Sequence, residues 1–349
     1  RYFQKEYYRA ARFFIEVFSM EKNQSNIEWM STLRGTAVFM VFFSHLPLVL
    51  PFDILFIIGR VAVVVFFLMT GYLSVSSRRK RSGKQYLFNR FMRMYPVYWL
   101  LLVLAYAVSS GSISFKRFAA NLTLFEEFMG QEPILGGSWM MPMQVCFFIF
   151  IAIAGSFLSD KKFFNMSFEA VMILITVLLA LAAFATGFFR HMTGLPLPTA
   201  FFLLISVSFL GMTYNYSNSR KTVIVCFGIF EIGLVSSVIL SYPDMIAAYI
   251  VAYNLGFLLF FGFEKLNASF ALADMLGSMG FTFFLGADIL YKVVCRYVDF
   301  GQSYLMTALG CVVKFVLALL LAYIVTRFVE KPLLARAGRF EKKIACEEK

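Results

Sequence analysis

The chain has 349 residues, 60% of them hydrophobic and 15% charged, with 32 Lys and Arg against 20 Asp and Glu for a formal charge of +12. Together with a mean hydropathy of +0.76, this excludes a soluble globular domain and points to an all-α polytopic integral membrane protein. The 44 Phe suit lipid-facing and packed helices without any nucleic-acid partner, and five cysteines with no CxxC pair support neither a disulfide framework nor a metal site.

The chain opens on Arg1 and not on Met, which leaves its true N-terminus and any cleaved leader open. Residues 1–30 read as an amphipathic segment on the cytoplasmic face. There Phe3, Tyr7, Phe14 and Phe18 recur at helical spacing opposite Arg9, Arg12 and Glu16, as in a helix lying on the membrane surface or packing on a bundle. Apolar runs near the length that crosses a hydrocarbon core then predict ten spans. They fall near 31–50, 55–76, 94–110, 138–158, 168–188, 197–214, 222–241, 245–263, 270–291 and 303–327, the ninth interrupted by Gly277, Gly280 and Gly286. The membrane domain thus covers 31–329, and 330–349 is a charged cytoplasmic tail.

An even number of spans puts both termini on one side. Of the 32 Lys and Arg, 5 fall on the opposite side (Lys116, Arg117, Arg190, Lys292, Arg296), 3 lie within spans and 24 remain on the terminal side. By the positive-inside rule the termini are cytoplasmic, in the cell (plasma or inner) membrane. The long loop 109–137 is then an outer one, placed to shape a binding site. No internal repeat of the kind that marks inverted-topology transporters is visible.

Chemistry begins in the first span. Arg34 and His45 are eleven residues apart, about three turns plus 20°, so on a continuous helix they share one face roughly 16 Å apart. Ionisable groups inside a span are costly and mark function by default, although Arg34 can also snorkel and His45 can serve a polar helix contact. At the entry to the third span, Arg90 and Arg93 lie i,i+3 on one face, a paired guanidinium fork suited to phosphate. Four further charges fall within or at the ends of spans: Arg60, Glu231, Asp288 and Lys314. Lys314 and Glu231 both lie near mid-span, and pairing of Lys314 with Glu231, or with the shallower Asp288, would lower the cost of burial. Arg60 either meets an acidic acceptor or snorkels. His191, in a short outer loop beside Arg190, reads as solvated.

In order along the chain, these motifs resemble the acyltransferase 3 family of integral membrane O-acyltransferases, the type that acylates bacterial surface polysaccharides. The resemblance rests on Arg34-Gly35 followed by His45 in the first span, and on Phe66-Phe-Leu-Met-Thr70-Gly71-Tyr-Leu73 in the second. It continues with Arg90-x-x-Arg93-x-x-Pro96-x-x-Trp99 in the third, Trp139 near the start of the fourth and Glu330-Lys331-Pro332 at the end. Departures include Val63-Val-Val65 where some members carry an acidic residue, Gln144 where some carry Glu, and Gly286 where many carry a second His. The resemblance implies transfer of an acyl group, acetyl first among them, from acetyl-CoA or another acyl-CoA to a carbohydrate hydroxyl. His45 would be the catalytic residue, as general base or through a covalent acyl-His. Arg34, Arg90 and Arg93 would bind the donor, with Arg60, Thr70, Trp139, Glu231, Asp288 and Lys314 on the acceptor side or structural. The partners are then the glycan acceptor and membrane lipids, with the oligomeric state open. The competing expectation is a secondary transporter or flippase for an anionic or sugar-lipid substrate, which uses intramembrane charges in the same way.

Overall fold

A computed structural model describes residues 28–46, 52–79, 81–109, 111–159, 162–163, 166–195, 198–301 and 303–347. The helix expected over 3–18 lies outside them. The described residues are helical apart from loops and one short hairpin, in which Lys162–Phe163 pairs antiparallel with Met166–Ser167.

In chain order the helices are α1 Glu28–Ser44, α2 Phe52–Arg79, α3 Gly83–Val108, the short α4 Phe115–Asn121, α5 Met141–Ser159, α6 Phe168–Thr193, α7 Thr199–Tyr216, α8 Arg220–Ser241 and α9 Ile246–Leu266. A segmented span follows, α10 Ala271–Ser278, α11 Gly280–Gly286 and α12 Ile289–Val294, then α13 Tyr304–Val325 and α14 Lys331–Glu347. A five-residue π-helical stretch, Thr326–Glu330, joins the last two. Among the described residues, eight helices are long and apolar enough to cross a membrane, and nine if the α10 to α12 segment, bent by 72°, counts as one. Ten spans were expected. The tenth is α1, whose 17 described helical residues, about 25 Å, fall at the short end of the range that crosses a hydrocarbon core.

Local chemistry sets the ends. Ser82 and Gln85 form a capping box at the start of α3, with Ser82 N–H donating to Gln85 Oε1 at 2.9 Å. This fixes where Arg90 and Arg93 fall, two and three turns in. Helix α6 is capped by Ser167 and closed by Gly194 at a positive φ of 69°.

Two close helix crossings build the frame. A side chain at Gly35 would overlap the Ala273 carbonyl of α10, and one at Gly71 would overlap the Ser208 carbonyl of α7. Both glycines sit inside the sequence motifs, next to Arg34 and Thr70, so part of what those motifs encode is backbone approach. The core between helices is aromatic and aliphatic, with Phe67, Tyr86, Tyr98, Phe147, Phe230, Phe260 and Phe283 fully buried. On the outside, Leu305, Leu309, Val312, Val316 and Leu320 form an exposed apolar stripe along α13, the face that lipid covers. Successive spans alternate in direction, which gives the bundle a basic end, where α2 finishes and α3 begins, and a far end, where α1 finishes.

The 109–137 segment is not a simple surface loop. Tyr98 Oη donates to Asn121 O at 2.7 Å and Trp99 Nε1 to Leu122 O at 3.0 Å, so the segment descends alongside α3. Asn121, Leu124 and Glu126 are buried by it.

Candidate active site

Arg34 projects from α1 against the break in the ninth span. Gly280, the first residue after the bend, has no side chain, and a Cβ there would lie 3.8 Å from Arg34 Cγ. Arg34 is within electrostatic reach of Arg93, Arg90 and Glu330. The Arg90 guanidinium packs over Tyr86 and Phe148, 5.1 and 4.8 Å from the ring centroids, and its Nε is buried without a hydrogen-bond partner. Arg93 is exposed, with Nε donating to Asn89 Oδ1 at 3.1 Å. Glu330, on the π-helical stretch, accepts from Thr282 Oγ1 at 3.3 Å and Thr326 Oγ1 at 3.1 Å. The three arginines expected to act together are therefore together, at the basic end. With one carboxylate among three guanidiniums, the cluster keeps an excess of positive charge beside a broken helix, a combination that suits a polyanion.

His45 lies at the other end of α1. The helix stops at Ser44, so His45 sits in the following turn, exposed, rather than on a continuous helical face. Its ring folds back, with Nδ1 2.8 Å from Val41 O and 3.1 Å from Ser44 Oγ. A carbonyl only accepts, so Nδ1 carries the proton and Nε2 keeps the lone pair. The ring is thus held in the tautomer that a base facing away from the helix requires.

The main chain of this turn is held as well. Lys314 Nζ donates to His45 O at 3.1 Å and pairs with Asp288 Oδ1 at 2.7 Å, with the Lys314 side chain only 6% exposed. Of the two partners considered for Lys314, Asp288 is the one found. Glu231 is not part of this pair. It accepts from Asn254 Nδ2 at 3.4 Å between α8 and α9, because the packing of the bundle puts α12, not α8, beside α13. Asp288 also lines a cavity of about 440 Å³ at the far end, together with Ser109, Arg117, Gly136, Lys292 and Arg296.

The remaining expected residues divide. Thr70 Oγ1 donates to Phe66 O of its own helix at 2.8 Å, a local bond within α2. Trp139 packs against Arg60, whose guanidinium carbon is 5.4 Å from the indole centroid. Two participants were absent from the expected site. Glu330 appeared only as part of a terminal motif, and Thr282 lies between Gly280 and Gly286 without any signal of its own.

A family model described as an acyltransferase domain, that of the acyltransferase 3 family, matches residues 27–327. No curated protein and no solved structure gives a match. The matched range takes in α1 through α13, both ends of the bundle and every residue described above except Glu330. The chain belongs to the acyltransferase 3 family and is a multi-pass membrane acyltransferase.

Proposed function

We propose that this protein moves an acyl group, most simply acetyl, from a coenzyme A thioester to a hydroxyl of a surface glycan or its lipid-linked precursor. The observation that carries this reading is the grouping of Arg34 with Arg90 and Arg93, with Glu330 in reach of Arg34 and Arg93, at the end of the bundle flanked by the basic 78–93 segment. Coenzyme A is a cytoplasmic polyanion, and the positive-inside rule makes that end cytoplasmic. The donor's phosphates would meet the guanidinium edges there, with the thioester arm extended along α1 past Arg34.

His45, roughly 16 Å further along the chain direction, then acts on the acceptor. Its Nε2 takes the proton from the acceptor hydroxyl as that oxygen attacks the thioester carbonyl. The carbon–sulfur bond breaks, the acyl group stays on the acceptor oxygen, and the departing thiolate takes up the proton. Lys314 is a positioning residue, since it holds the His45 carbonyl and does not face the ring. The cavity beside Asp288 supports an approach for the acceptor from the outer side.

The test uses purified intact protein with acetyl-CoA. Release of free coenzyme A that depends on an added glycan acceptor is the expected result, and substrate counterflow in vesicles without thioester loss would instead identify a transporter. Sidedness is read in the same preparation. A cysteine introduced at Lys84 should react only from the cytoplasm and one at Phe128 only from outside; the reverse labelling would overturn the donor assignment along with the topology.

A further inference from the structure

Arg60 carries a charge that the proposed transfer does not use. Its guanidinium carbon lies 5.2, 5.4 and 5.2 Å from the ring centroids of Phe56, Trp139 and Tyr249. Tyr249 stacks on Tyr242 at 4.6 Å, and Arg190 covers the Tyr242 ring at 4.8 Å, so two guanidiniums share one aromatic wall at the far end. Neither is ion-paired among the described residues. Ring faces attract a guanidinium but do not satisfy its in-plane N–H donors. Accordingly Arg60 Nη1 is buried with no hydrogen-bond partner. One turn from Tyr249 on the same face of α9, the fully buried Tyr253 hydroxyl is also without a partner. Glu126, a buried carboxylate in the descending segment, accepts from Ser138 Oγ at 2.8 Å through Oε1, and its Oε2 is buried without a partner among the described residues.

We propose that Arg60, with the Tyr253 hydroxyl, receives an anionic substituent of the acceptor, a carboxylate or a phosphate ester on the sugar. The inference rests on the glycan acyltransferase reading and deepens it by naming an acidic acceptor. Aromatic packing alone would account for the stacked faces. It does not account for two buried donors left open in one neighbourhood, which is the pairing that a planar oxyanion completes. The site also lies close to the chemistry: Gly59, the residue before Arg60, meets Ser44 directly, so α2 touches the His45 turn one residue away. An acceptor held by its acidic group at Arg60 would present a neighbouring hydroxyl toward His45.

The experiment is calorimetric titration of the intact protein in nanodiscs, without coenzyme A, using methyl glucuronide, methyl glucoside 6-phosphate and neutral methyl glucoside. One acidic sugar should bind about tenfold or more tightly than the neutral one, and the two acidic arms identify which oxyanion fits. Arg60→Gln should erase that preference, and Arg60→Lys should restore only part of it because the planar fork is lost. Tyr253→Phe, which removes one oxygen and keeps the ring, should weaken the acidic sugar severalfold and leave the neutral one unchanged. Equal binding of all three sugars, no binding of either acid, or a preference that survives Arg60→Gln overturns the proposal. Since no thioester is present, failure of the transfer assay and failure of acid recognition are read separately.

Discussion

The two ends of α1 solve opposite problems. At the basic end, Arg34 and Arg93 lie within electrostatic reach of Glu330, with Arg90 in reach of Arg34, where a bent span meets a π-helical stretch. At the far end a lone imidazole stands exposed in a turn whose main chain is held by Lys314, itself paired with Asp288. Concentrated charge needs rearranged backbone and a mobile ligand to balance it; a base needs neutral surroundings and a fixed tautomer. In the proposed reaction the contrast separates donor binding from proton transfer along one helix, so each should fail without the other.

The sharpest way to break that separation is His45→Ala. Transfer should fall by about 10²–10⁴-fold, the usual contribution of a general base, while coenzyme A binding measured by calorimetry stays at its wild-type value. Weakened donor binding in this variant would mean that the two ends act as one site.

Next in size is the reciprocal experiment. Arg90→Ala should lower donor affinity by about tenfold or more, as expected for loss of a charge-assisted contact, with Lys a partial substitute. Arg93→Ala should cost less, because Arg93 is exposed whereas Arg90 is held between Tyr86 and Phe148. Unchanged affinity in the double variant would leave both as topology signals only.

The smallest effect concerns the clamp on the His45 turn. Asp288→Asn leaves a buried ammonium without its counter-charge, whereas Lys314→Met leaves a half-exposed carboxylate, so the first should lower the melting temperature more than the second. Lys314→Met should nevertheless reduce kcat with KM for the donor unchanged, since only it frees the His45 carbonyl. Equal melting temperatures would show that the pair is solvated in the membrane-embedded protein.

How much of this could be read from the chain depends on the range of the contact. Arg34, Arg90 and Arg93 were legible because a helical repeat fixes the face of each residue from its number alone. The stop at Ser44 did carry a local signal, Pro47, which cannot continue a helix and disfavours helical backbone before it, although the apolar run itself goes on to Leu50. The choice of Asp288 over Glu231 was hidden: it turns on which helix neighbours α13, a long-range outcome that no local pattern contains. Glycines gave a partial hint. Those at 277 and 280 bracket the bend, but only the packing of α1 into Gly277 and Gly280 explains why it falls beside Arg34. The 109–137 segment was legible as a loop placed to line a cavity, but not its inward course, which Tyr98 and Trp99 fix by hydrogen bonds from the next-door helix.

The π-helical stretch at Thr326–Glu330 amounts to one extra residue inserted into an otherwise continuous helix. Everything after it is out of phase with α13 by one residue, about 100° of rotation. Glu330 reaches Thr282 only in that shifted phase. Deleting a single residue within 326–330 would restore regular winding, keep the composition nearly intact and swing the carboxylate off the arginines, so the helical register here works as a combination lock on the basic end.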